Sequence, residues 1–409
     1  MTNDPVIIIG AGVGGLSTAI HLAAAGLPVR VYEKSPVPGG KIHEVAAGDT
    51  AVDAGPTVFT MRWVFEELFA AADRNVDDYL TTRPAGLLAR HAWLDGATLD
   101  LFADRQASVE AIGDFAGPRE AAAFVAFSED AARIYGTLRD TFIAASRPSV
   151  FELTRRIGFS NVNRLRGIKP FSKMWDALAG HFEDPRLRQL FGRYATYCGS
   201  SPYQAPATLM LVAHVEGEGV WLVDGGMISI ADALAACARD LGVETVFGED
   251  IREITCSGGR ATGIVMAGGD RVAASAVVFN GDPGAIAGGG LGADVSRAVN
   301  GTARKHRSLS AMTWVLQADT SGFPLARHNV FFSDDYASEF TDICENERLP
   351  RTPTVYVCAQ DRDDRGNRLT SGSERLMCLV NAPATGGRHA LETTEIEQCE
   401  ETMWKRLRR

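Results

Sequence analysis

No stretch of this 409-residue chain is long and apolar enough to span a bilayer. The longest apolar run beyond the N-terminus, near residues 207–215, falls far short of the ~20 residues required, so membrane contact has to be peripheral. The seven cysteines (198, 237, 256, 344, 358, 378 and 399) form no CxxC pair or metal-like cluster, and an odd, dispersed set reads as reduced cytosolic thiols. Neither HExxH nor a GxSxG nucleophile elbow occurs, which removes the zinc-protease and serine-hydrolase readings. No metal site is expected. There is no basic stripe, and a net charge of −10 argues against nucleic acid as a partner. Repeats and low-complexity tracts are also missing. A secretory leader is not expected, because Asp4 stands where a positive n-region would be and glycines interrupt the first apolar run.

What is present begins at residue 6. Val6 to Ile9 run into Gly10-Ala-Gly12-Val-Gly14-Gly15, and an Ala/Leu-rich helical segment follows. A second short strand, Val29 to Tyr32, ends on Glu33. This order of strand, glycine turn, helix, strand and acid fits a dinucleotide. Gly10 permits the tight turn, Gly12 lets backbone approach a pyrophosphate, and Gly15 lets the helix pack closely. The helix start offers unpaired N–H groups and about half a positive charge. Glu33 stands 23 residues after Gly10, where a carboxylate accepts ribose hydroxyls and repels a 2′-phosphate.

Gly39-Gly40-Lys41 follows six residues after Glu33, adding a second close backbone approach and a cation near the pyrophosphate. Val52-Asp53-Ala54-Gly55-Pro56-Thr57 reads as a strand ending in a Gly-Pro turn, another place for backbone to meet a flat ligand. These additions favour FAD over NAD.

With those residues in place, the chain resembles the FAD-dependent carotenoid desaturases, relatives of phytoene desaturase and, more distantly, of the amine oxidases. The finer likeness is to the hydroxyneurosporene (methoxyneurosporene) branch of purple phototrophic bacteria. It rests on Asp53 to Phe65 (DAGPTVFTMRWVF), Phe191 to Tyr197 leading to Ser201-Pro-Tyr203, and Gly219-Val-Trp221 before Gly225-Gly226-Met227. The likeness implies an α/β fold, with a Rossmann-like, amine-oxidase-like FAD-binding domain interleaved with an α+β substrate domain. It adds Lys34 to a cofactor site otherwise read as Gly10, Gly12, Gly14, Gly15, Glu33, Gly40, Lys41, Gly55, Pro56 and Thr57, and it sets the backbone of Ile251 against the adenine.

The pattern along the chain divides accordingly. Residues 1–85 and 220–300 carry βαβ patterning and are assigned to the FAD-binding domain. Residues 86–219 and 301–409 are assigned to the substrate domain. The first of these segments holds a β-like stretch over 89–102 and a long helical pattern over 119–143, with Phe124, Phe127, Ala131, Ile134 and Leu138 on one face. Ile228 to Leu241 reads as a helix. Strands are expected at 245–247, 251–255 and 263–266, with a return strand at 271–279 and further strands at 310–318, 330–332, 354–359 and 375–381.

The reaction implied by the resemblance removes two hydrogens from adjacent carbons of an apolar polyene, with the flavin taking a hydride. Another carotenoid desaturase or isomerase, or a non-catalytic flavin- or carotenoid-binding protein, are the rival readings. Phe191, Tyr194, Tyr197, Tyr203, Leu209, Met210 and Trp221 are candidates for lining the polyene's tunnel, or else form the insert's own core. A 1-hydroxy end on the substrate asks for one polar partner, which the pattern does not identify, and no catalytic acid or base can be named. His214 reads as a core histidine, His328 as a candidate near the substrate domain, and Cys198 as a buried thiol rather than a covalent flavin anchor. Thr394 to Glu397 has the form of a capping box for a helix with Ile396, Cys399, Met403 and Leu407 on one face. The basic end, Trp404 to Arg409, reads either as a membrane-binding tail or as an end short of a further flavin-contacting segment that the resemblance implies. A cytoplasmic protein peripherally associated with membrane is the resulting expectation.

Overall fold

The computed structural model describes residues 4–145, 152, 167–303, 306–386 and 391–408. Its chain forms two compact units, one of Met1–Arg83 with Trp221–His306 and the other of Pro84–Val220 with Arg307–Arg409.

The first unit is built on a four-stranded parallel sheet in the order Ala276–Phe279, β1 (Val6–Ile9), β2 (Val29–Glu33), Glu244–Phe247. All four residues of β1 are buried, because both faces of the sheet are covered. Ile8 and Val31 face α1 (Val13–Ala24) and the helix Ile228–Asp240 through Leu16, Ile20, Ile230 and Leu234. Ile7, Ile9 and Tyr32 face Ile251, Ile254 and Ile264 of an antiparallel sheet formed by Ile251–Ser257, Arg260–Met266 and Arg271–Ala273. The single return strand expected over 271–279 is two strands. Arg271–Ala273 completes the antiparallel sheet, whereas Ala276–Phe279 pairs with β1, so the chain has to break between layers.

Two strings far apart in sequence meet in this unit. Trp221 N–H donates to the Phe59 carbonyl at 2.8 Å, and the Arg62 guanidinium lies 5.0 Å above the Trp221 ring. Asp53 ends the hairpin Glu44–Ala47/Thr50–Asp53 and is buried. Its Oδ2 accepts the Met227 N–H at 2.9 Å, just ahead of the helix Ile228–Asp240. A carboxylate at a helix N-terminus satisfies a donor with no intrahelical partner and suits the helix dipole.

The second unit holds a six-stranded mixed sheet in the order Ser310–Ala318, Glu374–Ala382, Val355–Ala359, His328–Phe331, Leu87–Ala92, Thr98–Phe102. The stretch 89–102 is therefore a hairpin of two strands. The helix Thr393–Leu407 covers one face, with Cys399 and Met403 packed into the cluster of Val357, Leu376 and Cys378. It starts before Thr394, with Glu392 at the N-cap and no side-chain cap, so the expected capping box does not form. Arg409 of the basic end lies outside the described residues. The long helix of the insert, Pro118–Leu138, gives way to a π-type turn over Arg139–Ile143, where no residue is buried to continue the apolar face. Among the described residues no helix is long and apolar enough to cross a membrane.

Asp53→Ala should lower stability by about 1–3 kcal/mol, because it leaves the Met227 N–H unmet at a buried helix start. Asp53→Asn, whose amide oxygen can still accept, should cost less. Chemical denaturation of the two variants checks the order.

Candidate functional site

At the C-terminal end of β1, Gly10 takes φ +103°, a conformation that glycine adopts readily. A Cβ on Gly15 would stand 2.0 Å from the Gly10 carbonyl oxygen, so α1 presses directly on the turn. Gly12 provides no side-chain cap, and the first intrahelical bond runs from Leu16 N–H to Gly12 O at 3.0 Å. Val13, Gly14 and Gly15 therefore precede the first N–H with an intrahelical acceptor, and their own N–H groups suit an anion. Asn280, read from sequence only as part of a turn, closes one side of this loop. Its own N–H donates to Ile9 O at 2.9 Å, and a Cβ on Gly14 would meet its Oδ1 at 2.6 Å.

Glu33 is buried at the end of β2. Its Oε2 accepts the Ala11 N–H at 2.7 Å and its Oε1 the Ser35 N–H at 2.9 Å. The acid thereby fastens the glycine turn to the neighbouring strand while keeping lone pairs for ribose hydroxyls. Gly39 N–H donates to Ala11 O at 2.9 Å, a Cβ on Gly40 would lie 3.2 Å from the Gly12 Cα, and one on Gly55 would lie 2.0 Å from the Lys41 carbonyl. Three segments thus stack backbone on backbone, which only residues without Cβ permit. Lys34, Lys41 and Pro56 are exposed and Thr57 is half-buried. Among the described residues neither lysine enters an ion pair, which leaves both charges open to a phosphate. The Ile251 side chain is buried in the core, but its strand follows directly on Glu249, whose N–H donates to the Glu33 carbonyl at 3.0 Å. A cradle of this form, lined by main chain and closed by a carboxylate, fits a dinucleotide diphosphate and its ribose.

The aromatic candidates separate. Phe191 lies 4.6 Å from Phe127 and 5.0 Å from Phe182, and with Tyr194 and Met210 it belongs to the insert's core. Tyr203 is half-buried among Trp175 and Phe340, where burial lifts its hydroxyl to about 12. Leu209 is half-buried, Tyr197 is exposed on one side, and Trp221 belongs to the first unit, under Arg62. Three expectations are corrected. Cys198 is exposed rather than buried. His214 is only half-buried, 3.3 Å from Glu218 one helical turn on, and it lines a cavity of about 290 Å³ with Leu88, Phe191 and Tyr194. His328 is buried, with Nδ1 2.7 Å from the Tyr356 hydroxyl, and burial together with the Arg327 charge lowers it to about 3. An imidazole held so low is a poor proton acceptor at neutral pH. His91, fully buried with Nδ1 3.1 Å from Leu99 O, is likewise lowered to about 3 by burial and by Arg193.

Residues 13–389 match the family described as flavin containing amine oxidoreductase. The hydroxyneurosporene desaturase of Rubrivivax gelatinosus is 51% identical over 397 residues, which cover 97% of this chain and 75% of that protein. That of Cereibacter sphaeroides is 43% identical over 406 residues, covering 98% and 80%. Among solved structures, an oxidoreductase from Methanosarcina mazei superposes with a TM-score of 0.61 at 16% identity, covering 99% of this chain and 84% of the other. At that identity the likeness shows the fold.

Glu33→Ala should weaken flavin nucleotide binding by about 1.5–3 kcal/mol, the usual worth of charged hydrogen bonds, read by fluorescence titration. Unchanged affinity would refute the ribose role. The two low histidines also set a pH dependence. Unfolding restores them to about 6.5, so the unfolded chain binds more protons below that value. The stability they provide is complete above pH 6.5 and is lost as pH falls from there toward 3. At pH 5 each should have cost about 2 kcal/mol relative to pH 7, and His328→Gln should flatten the fall in denaturation midpoint between those pH values.

Proposed function

The chain belongs to the flavin-containing amine oxidoreductases, among their carotenoid desaturases, and from that footing we propose that it is an FAD-dependent desaturase of a 1-hydroxy carotenoid in carotenoid biosynthesis. The observation that carries this reading is the glycine cradle with its buried Glu33, in a chain 51% identical to a hydroxyneurosporene desaturase. The bound flavin would accept a hydride from the polyene, which the protein alone has no group to do.

The residues then divide the work. Gly10, Gly12, Gly14 and Gly15 present main chain to the diphosphate, and Glu33 clasps the ribose. Gly40, Lys41 and Lys34 add close backbone and positive charge, Gly55, Pro56 and Thr57 flank the flat ring system, and the Ile251 backbone meets the adenine. The unit of 1–83 and 221–306 holds the cofactor, and the unit of 84–220 and 307–409 holds the polyene. A substrate that is hydrocarbon along most of its length is held by buried apolar area, at ~25 cal/mol per Å², and the aromatic groups of the second unit supply such area. Its apolar substrate would be drawn from membrane by peripheral contact. Phe171, fully exposed, and Phe142, nearly half exposed, support that contact.

Mixing the FAD-loaded protein anaerobically with 1-hydroxyneurosporene should bleach the flavin absorbance and yield a product with two fewer hydrogens and a longer-wavelength polyene spectrum. Flavin that stays oxidised in the presence of bound substrate would count against the desaturase reading.

A further inference from the structure

Arg193 lies between the helices Pro185–Gly192 and Tyr194–Tyr197, and it is more than nine-tenths buried. Its guanidinium stands 5.2 Å and 5.4 Å from the rings of Tyr194 and Tyr197, and its Nη1 donates to the Tyr197 hydroxyl at 3.1 Å. The counter-charge is Glu216, also buried, but its two oxygens accept the Tyr194 and Tyr197 hydroxyls, each at 2.5 Å. The tyrosines therefore stand between acid and base. Burial works against the Arg193 cation, and Tyr197 and Glu216 outweigh it and hold the group charged. This arrangement leaves Nε and Nη2 of Arg193 with no acceptor among the described residues.

An unmatched acceptor lies on the neighbouring strand: Arg193 N–H donates to the Gln189 carbonyl at 3.1 Å, and Gln189 Oε1 accepts from Trp93 Nε1–H at 2.9 Å, two residues beyond His91. His91 uses Nδ1 on the Leu99 carbonyl, which places its proton there and leaves Nε2 as a bare lone pair. That atom is buried and has no donor among the described residues. His91 pairs in register with Val330, and His328 lies two residues before Val330, so both histidines sit on one face of the six-stranded sheet. The Arg193 charge reaches both of them and helps to keep them neutral. The setting is otherwise aromatic, with Phe332 stacked 6.0 Å from His91 and 5.1 Å from Trp93.

Folded proteins seldom leave buried polar groups unmade, and three such atoms here ask for a ligand that answers them. A carboxylate would suit the guanidinium but would point lone pairs at the lone pair of His91. An amine would suit His91 and be repelled by the arginine. A hydroxyl accepts and donates on a single oxygen and brings no charge into an aromatic site. We infer that Arg193 and His91 form the recognition site for the hydroxyl of the polyene, the alcohol oxygen accepting a hydrogen bond from Arg193 and its O–H donating one to His91 Nε2. The inference rests on the desaturase reading and names within it the specificity-determining pair, which acts by binding and not by proton transfer.

The test compares binding of 1-hydroxyneurosporene and of neurosporene, which lacks the hydroxyl, by quenching of tryptophan fluorescence in the full-length FAD-loaded protein. The wild-type chain should prefer the alcohol by tenfold to a hundredfold, as expected where a site's buried polar groups are otherwise left unpaired. His91→Phe keeps a ring against Phe332 but removes the acceptor, and Arg193→Lys keeps the charge facing Glu216 but removes the fork. Both should bring the affinity ratio close to one, with flavin titration reporting that each variant is folded. Equal wild-type affinities, or a preference that survives in folded variants, would overturn the inference. The outcomes remain separable from the desaturase reading. A wild-type preference that the variants lose, with flavin left unreduced, keeps this site and removes the enzyme. Flavin reduction with equal affinity for both polyenes keeps the enzyme and removes this site.

Discussion

A buried carboxylate with no cation beside it among the described residues ties the glycine turn of the first unit to the neighbouring strand. Glu33 would be costly in that position if it were left to itself. Two main-chain donors offset the cost, from Ala11 inside the glycine turn and from Ser35 just beyond β2. The acid thus sets how the turn leaves the sheet, and with it the direction in which the first amides of α1 point. The glycines around it follow from the same constraint. Once the turn is pinned, α1 meets the Gly10 carbonyl where a methyl group would collide, and the Gly39–Lys41 segment lies against Gly12 and Gly55. A dinucleotide site of this kind consists almost wholly of main chain, and its few side chains serve to aim it.

The second unit handles polarity differently. Around Arg193 its buried charges have partners that compensate them without satisfying every atom. Glu216 is satisfied by tyrosine hydroxyls and Arg193 only in part, and the histidines on the sheet are kept neutral by burial and by neighbouring arginines. Such a network is high-stakes in an apolar interior, because each unmade bond is felt in full. It suits a protein whose substrate is nearly featureless. Apolar area provides affinity for any polyene, and discrimination has to come from the rare polar atom and the groups that wait for it.

Much of the cofactor end was legible in the chain, because its determinants are local. Val6 to Glu33 falls in one βαβ unit, and a positive φ, a capless helix start and an acid after the second strand each leave a mark on residue type. Helix and strand positions were legible wherever residues were buried, as in Pro118–Leu138 and Glu374–Ala382. The failures share one cause. The run 271–279 reads as one strand because Val272 to Phe279 is apolar but for Ser275, yet two layers each claim a part of it. Trp221 is one of several aromatic tunnel candidates in the string, and its place under the Arg62 guanidinium in the first unit is something only the fold reveals. Asn280 reads as a turn residue because its role over Gly14 depends on a strand more than 250 residues away from the loop it closes.

What the sequence alone determined is the chemistry of the cofactor. Glycine, β-branched residues and a single acid at set spacing permit few backbone paths, and those paths fit a diphosphate and a ribose. What only the tertiary structure decided is which polar side chains are left unanswered. That depends on whether Glu216 reaches Arg193 or the tyrosines first, and on which ring nitrogen of His91 the Leu99 carbonyl takes. No residue type carries that information, because hydrogen-bond satisfaction belongs to the packed arrangement and not to any member of it.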